Sequence, residues 1–272
     1  MKNLCFSGGG VKGIAYVGIY KYLIENNMLG DLENLSGSSA GAVMCLFVLL
    51  KYSVKELEIL VEKMNYTLLE DLDIRGILYT YSLHTGNKLE YILQKILSSK
   101  GIDKNITFKQ LYDKTGIGLH ICTARLNDCS KVIFNHLNTP DIMVYKACKY
   151  SMNIPFLWAS EQTHGVYYAD GCLAENLPIS MFPVEDTLGI MCHSDSKHCQ
   201  IKDIKDYMLK SIESCLKRAD AFEIDAYTKI GYNIIRIDMC TVSSLDFDID
   251  TCTKKSMIEE GYRSALKQLK TK

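Results

Sequence analysis

Residues 34–50 run Asn34-Leu35-Ser36-Gly37-Ser38-Ser39-Ala40-Gly41-Ala42-Val43-Met44-Cys45-Leu46-Phe47-Val48-Leu49-Leu50. A short strand around Leu35 breaks at a Gly/Ser turn, and an uncharged apolar run follows from Ala40 to Leu50. A membrane span needs about 20 apolar residues, so this shorter run reads as a helix buried in a core. A strand turning sharply into a buried helix is a unit of α/β architecture. The turn Gly37-Ser38-Ser39-Ala40-Gly41 also fits Gly-x-Ser-x-Gly, the nucleophile elbow. Glycines on either side of Ser39 let strand and helix crowd together. The Ala40 N–H, at the positive end of the helix, is free to face an oxyanion. A plainer reading fits the same residues: a Gly/Ser turn with Ser38 or Ser39 as N-cap.

Upstream, Asn3-Leu4-Cys5-Phe6 reads as a strand and Gly8-Gly9-Gly10-Val11-Lys12-Gly13 as a tight loop. A helix follows, with Tyr16, Ile19, Tyr20 and Leu23 on one face. Adjacent glycines can aim successive N–H groups into one anion-binding concavity. Read as Gly-x-Gly-x-x-Gly, the loop matches a dinucleotide fingerprint, which wants a carboxylate at the end of the second strand. Glu33 precedes that strand and the Gly37–Gly41 turn occupies its end. A Walker A loop is excluded, because no Lys-Ser/Thr follows Gly13. An oxyanion hole serving Ser39 fits better.

Downstream, apolar strands alternate with amphipathic helices. Ser53-Val54-Lys55-Glu56 forms a capping box before one helix, Leu89 to Leu97 make another, and Thr107-Phe108-Lys109-Gln110 caps a short third. Strands are expected at Gly118–Leu126 and Lys131–His136, then a helix over Asp141–Met152 and a strand through Val166-Tyr167-Tyr168. Asp170-Gly171-Cys172 closes that strand, so Asp170 can act as base if it reaches Ser39, although Asp-Gly pairs start turns in many settings. The chain ends in a strand at Leu188–Cys192, a long helix from Asp203, a strand at Asn233–Ile237 and a helix from Lys254. No repeat, linker or Pro-rich tract divides residues 1–272, so one α/β domain is expected.

Charge excludes one class of function. With 31 Lys+Arg against 32 Asp+Glu the net charge is −1, too balanced for a nucleic-acid binder working through a basic field. The 11 cysteines are odd in number and scattered, and Met1-Lys2-Asn3-Leu4-Cys5-Phe6 leads into glycines without an apolar h-region. Free thiols in a reducing, cytoplasmic setting follow as the expectation. Cys192-His193 with His198-Cys199 is the sole cluster suggesting zinc, and it lacks the spacing of a structural zinc module.

Taken in order, Gly8–Gly13, Gly37–Gly41 and Asp170–Cys172 strongly resemble the motif set of the patatin-like phospholipases. That family pairs a GGGxRG-type loop with GxSxG and a later DGG or DGA turn. The segment Ala147–Phe156, containing Ser151-Met152-Asn153-Ile154-Pro155, is similar to the family's Ser-x-x-x-Pro stretch, and Glu260–Ala265 to its C-terminal end. Lys12 stands where the family more often has Arg, keeping the charge and losing the bidentate fork. Cys172 replaces the last Gly or Ala of the DGG/DGA turn.

The resemblance implies a three-layer α/β/α fold with a central, mostly parallel sheet. The motifs lie within about residues 4–183, and residues 184–272 complete the domain. It implies Ser39 as nucleophile, Asp170 as proton acceptor and an oxyanion hole drawn from Gly8, Gly9, Gly10, Val11, Lys12, Gly13 and Ala40. Gly37, Ser38 and Gly41 shape the elbow, and Gly171 and Cys172 the second turn. The substrate implied is a phospholipid or other acyl lipid, met at a membrane surface, with no metal, cofactor or nucleic acid. Two other readings remain open. One is an α/β-hydrolase triad completed by His193 or His198, although that fold places several strands before its elbow. The other is a lipid- or nucleotide-binding module without turnover.

Overall fold

In the computed structural model, which describes residues 1–65, 71, 79, 81–159, 162–163, 165–193, 200–239, 242, 244 and 248–269, the first strand already shows the layering. Every residue of β1 (Asn3–Phe6) is buried. Leu4 and Phe6 join a large apolar cluster, whereas Cys5 joins a smaller one with Leu177 and Ile179. Successive strand side chains point to opposite faces, so a strand buried throughout is covered on both.

The sheet grows outward from β1. Its neighbours β2 (Asn34–Ser38) and β9 (Thr187–His193) are both parallel to it, with β4 (Gly118–Arg125) parallel to β2 and β10 (Asn233–Asp238) parallel to β9. At the far edge β5 (Ser130–Phe134) and β8 (Val166–Ala169) run antiparallel to β4, and β7 (Gln162–Thr163) antiparallel to β8. The expected mostly parallel α/β sheet is therefore present, and β9 and β10 place residues beyond 183 in that same sheet.

The large cluster is built by α1 (Ala15–Glu25), α2 (Ala40–Leu49), α3 (Val54–Lys63), α4 (Asn87–Ser98), α5 (Phe108–Thr115) and α6 (Val144–Ser151). The C-terminal helix α8 (Thr251–Leu269) crosses α1 where two glycines meet. A Cβ on Gly18 would lie 1.9 Å from the Ile258 carbonyl oxygen, and one on Gly261 would lie 1.9 Å from that of Ala15. The opposite face is covered by residues 171–182 and by Tyr227 of α7 (Ile204–Ile230).

Several boundaries differ from expectation. α6 begins at Val144 rather than Asp141, because the backbone before it pairs elsewhere. Phe108 N–H donates to the Ile142 carbonyl, Lys109 N–H to that of Pro140, and Val144 N–H to that of Ile106. α8 begins at Thr251 rather than Lys254, with the Asp250 carboxylate accepting from the Thr253 N–H at 2.7 Å. The small parallel pair of β3 (Ser82–His84) and β6 (Phe156–Trp158) has no clear sequence signal. Among the described residues no helix is long and apolar enough to cross a membrane.

Candidate active site

The three motifs converge at the carboxyl ends of β1, β2 and β8. Ser39, between β2 and α2, has φ 50° and ψ −121°, outside the comfortable regions for a residue with a Cβ. Such a conformation costs about 1–3 kcal/mol and persists only where its surroundings over-determine it. The surroundings do so here. A Cβ on Gly37 would lie 2.5 Å from the Gly41 carbonyl carbon, and one on Gly41 would lie 2.3 Å from the Phe6 carbonyl oxygen. Only glycines allow helix and strands this close. Neither serine acts as a helix cap: the Ser39 side chain makes no capping bond, and Ser38 Oγ donates to the Glu175 carbonyl at 2.7 Å.

Ser39 Oγ donates directly to Asp170 Oδ2 at 2.7 Å, and both residues are buried. Asp170 Oδ1 accepts from the Cys172 N–H at 2.9 Å, which fixes the carboxylate plane. Burial raises the Asp170 pKa above its ordinary 3.8, offset in part by the bonds from Cys172 and Ser39. The result is a stronger base than a surface aspartate, aimed at one hydroxyl. Among the described residues no histidine bonds Ser39 or Asp170. His193 ends β9, and its carbonyl accepts from Met239 N–H. His198 and Cys199 lie outside the described residues, and the remainder holds no cluster of three metal-ligating side chains.

The segment from Ser151 to Pro155 links the two motifs. Ser151 Oγ accepts from the Ser39 N–H at 2.8 Å, and the Asn153 carbonyl accepts from the Asp170 N–H at 2.8 Å. The backbones of Ser39 and Asp170 are thus both anchored by the last residue of α6 and the turn that follows it. The sequence singled out this segment by likeness alone. Its one physical signal was a small hydroxyl and an amide flanking the end of an amphipathic helix.

The glycine loop lies beside Ser39, and its N–H groups divide into two sets. Gly8 N–H donates to the Asn176 carbonyl at 3.2 Å, Val11 N–H to that of Ser244 at 3.0 Å and Lys12 N–H to that of Gly9 at 3.1 Å. Gly9, Gly10 and Ala40 instead occupy N-cap or first positions of helical turns, where an N–H has no intrahelical acceptor. Gly10 has φ +56°. Lys12 is buried within the turn of residues 10–14, and burial lowers its pKa from the ordinary 10.5. Gly13 packs against Ala40, its missing Cβ leaving room for the Ala40 methyl. Cys172 fills the space in front of Gly8, its Sγ 2.1 Å from where a Cβ there would stand.

Two cavities meet at Ser39. The first, about 170 Å³, is almost wholly apolar and runs between α2, α3 and α4, with Val43, Leu57, Val61, Leu93 and Trp158 in its walls. The second, about 110 Å³, is more polar and lies beneath α7, with Lys12, Asp170, Asn176, Lys217 and Asp220 around it. Gly10, Ser39 and Ile154 line both. Sequence reading did not anticipate α3, α4 or α7 as walls of the site.

Comparison with known proteins bears on the family and the fold. The model of the patatin-like phospholipase family matches residues 4–183. An uncharacterised protein of Acanthamoeba polyphaga mimivirus is 27% identical over 283 residues, covering 99% of this chain and 94% of that one. A probable lipid hydrolase of Invertebrate iridescent virus 6 is 27% identical over 188 residues, covering 66% of this chain and 62% of that protein. Among solved structures, VipD from Legionella pneumophila shares the fold, with TM-score 0.74 at 18% identity over 99% of this chain and 67% of that one. With the family model spanning most of the chain and a shared fold beneath it, the protein belongs to the patatin-like phospholipase family.

Proposed function

We propose that the protein is a lipid acyl hydrolase that cleaves carboxylic esters through a Ser39–Asp170 dyad. The observation that carries this reading is the direct 2.7 Å bond from Ser39 Oγ to Asp170 Oδ2, made from a strained elbow at the meeting point of two cavities. Asp170 accepts the Ser39 proton as Oγ attacks the ester carbonyl. The N–H groups of Gly9, Gly10 and Ala40 stabilise the tetrahedral oxyanion. Collapse expels the alcohol, which takes the proton from Asp170, and leaves an acyl-Ser39 ester. Water then gives a proton to Asp170 and its oxygen to the acyl carbon, releasing fatty acid and restoring Ser39.

The apolar cavity supports an acyl chain as the group held on the acid side, and the polar cavity supports the alcohol side. The relative named as a lipid hydrolase points to the same substrate class. Such substrates reside in aggregates, so the enzyme acts at a lipid surface. Fluorophosphonate labelling followed by intact mass and peptide mapping tests the reading without choosing a lipid. One adduct on Ser39, absent in Ser39→Ala and slowed in Asp170→Asn, is expected. A folded wild type that takes no adduct, with or without vesicles, contradicts it.

A further inference from the structure

Beyond the residues matched by the family model, one helix reaches the site. α7 supplies Leu209, Leu216, Lys217 and Asp220 to the polar cavity. It also grips Asn176, on the turn that follows Asp170. Asp220 Oδ1 accepts from Asn176 Nδ2 at 2.9 Å, and Glu223 Oε2 accepts from the Asn176 backbone N–H at 3.2 Å. The carbonyl of Asn176 accepts from the Gly8 N–H at 3.2 Å, and its Oδ1 lies 3.0 Å from where a Gly8 Cβ would stand.

We propose that Asp220 and Glu223 are positioning residues for the glycine loop: by fixing Asn176 they fix Gly8, and through it the aim of the Gly9 and Gly10 N–H groups at the oxyanion. This rests on the hydrolase reading above. Asn176 is 5% exposed, and its Oδ1 has no hydrogen-bond partner among the described residues. Its side chain is therefore oriented by Asp220 and by packing against the loop. Donors that stabilise an oxyanion act by being held in place before the charge develops, so a small loss of aim is read out in rate.

The electrostatics give the arrangement a pH signature. Asp220 is pushed up to about 6 by burial, against the pull of Asn176, Lys12 and Lys217. Glu223 is pushed up to about 7 by burial and by the nearby charges of Asp220 and Glu175. Glu175 is itself held down by Lys131 and the Tyr227 hydroxyl, and Glu213 by Lys210 and Lys217. The bonds from Asn176 pull both pKa values down against burial, so they favour the ionised carboxyls, and this grip strengthens as pH rises through about 6 to 7.

The test is the rate of fluorophosphonate labelling of Ser39 across the pH range in wild type, Glu223→Ala, Glu223→Gln and Asp220→Ala, with thermal melting as the check on folding. Each alanine variant is expected to slow labelling about tenfold, a fraction of the effect of deleting an oxyanion donor. Glu223→Gln, which keeps an acceptor and removes the charge, is expected to recover most of that loss. It should also lack the part of the wild-type rise in rate near pH 7 that ionisation of Glu223 supplies. Alanine variants that label within about twofold of wild type overturn the proposal, as does a Glu223→Gln profile that keeps the full wild-type rise near pH 7. If an alanine variant does not fold, the Glu223→Gln profile decides alone. A wild type that never labels overturns the hydrolase reading itself, an outcome distinct from a labelled wild type with indifferent variants.

Discussion

The two cavities at Ser39 differ in how they are built and therefore in what each can recognise. The apolar one is walled by α2, α3 and α4, helices that also carry the main hydrophobic cluster. It is an extension of the core that ends at Ser39, so it can select by length and shape and little else. The polar one is enclosed by the glycine loop, the turn after Asp170 and the remote helix α7. Lys12 and Asp170 are buried in it and Glu213, Lys217 and Asp220 half-buried, so it can discriminate by hydrogen bonding, where an unmatched group is costly. On the proposed reading, one side of the ester meets core packing and the other a more polar surface.

Substitutions on either side test that division. Asp170→Asn, on the polar side, removes the proton acceptor while keeping the shape. Rates on every ester should fall about 10²–10⁴-fold, independent of acyl length, measured as kcat on a chain-length series. Gly8→Ala, which drives a methyl into the Cys172 thiol, should lower kcat about 100-fold. Adding Cys172→Gly should return part of it, and no recovery would mean that the clash with Cys172 is not what matters.

Val43→Trp, on the apolar side, should lower kcat/KM for long acyl esters about tenfold more than for short ones. An equal loss for both would remove the acyl chain from that cavity. A smaller effect, about threefold to tenfold in kcat, is expected for Ser151→Ala, which leaves the Ser39 N–H without its acceptor. Asp170 must be ionised to accept a proton and its pKa lies above 3.8, so activity should fall as pH drops through that raised value. The same limb should appear with long and short esters alike.

The legible parts of the molecule are the ones whose chemistry is local. The elbow announced itself because a serine in a strained strand-to-helix turn needs Gly37 and Gly41 nearby in sequence. The glycine loop did so because its N–H groups come from consecutive residues. Both precede their helices, so the β1–α1 and β2–α2 units could be read from the sequence. Asp170 became meaningful only in company with the other motifs, since an Asp-Gly turn has many uses.

What stayed hidden depends on long-range pairing. The Ser151 bond to Ser39 spans 112 residues, and the Asn176 bond to Asp220 joins a turn to a helix 44 residues on. No periodicity encodes such contacts. The delayed start of α6 has the same origin, because residues 140–144 spend their backbone groups on residues 106–109. Helical spacing from Ile142 onward is present in the sequence, and tertiary hydrogen bonds override it.

Fatty-acid release from phospholipid–detergent micelles by wild type, Ser39→Ala and His193→Ala tests the central claim most directly. A dyad predicts turnover by wild type, a loss of at least about a thousandfold in Ser39→Ala, and a His193→Ala rate within about threefold of wild type. Persistent hydrolysis by Ser39→Ala, or a collapse of His193→Ala to the same level, would contradict it.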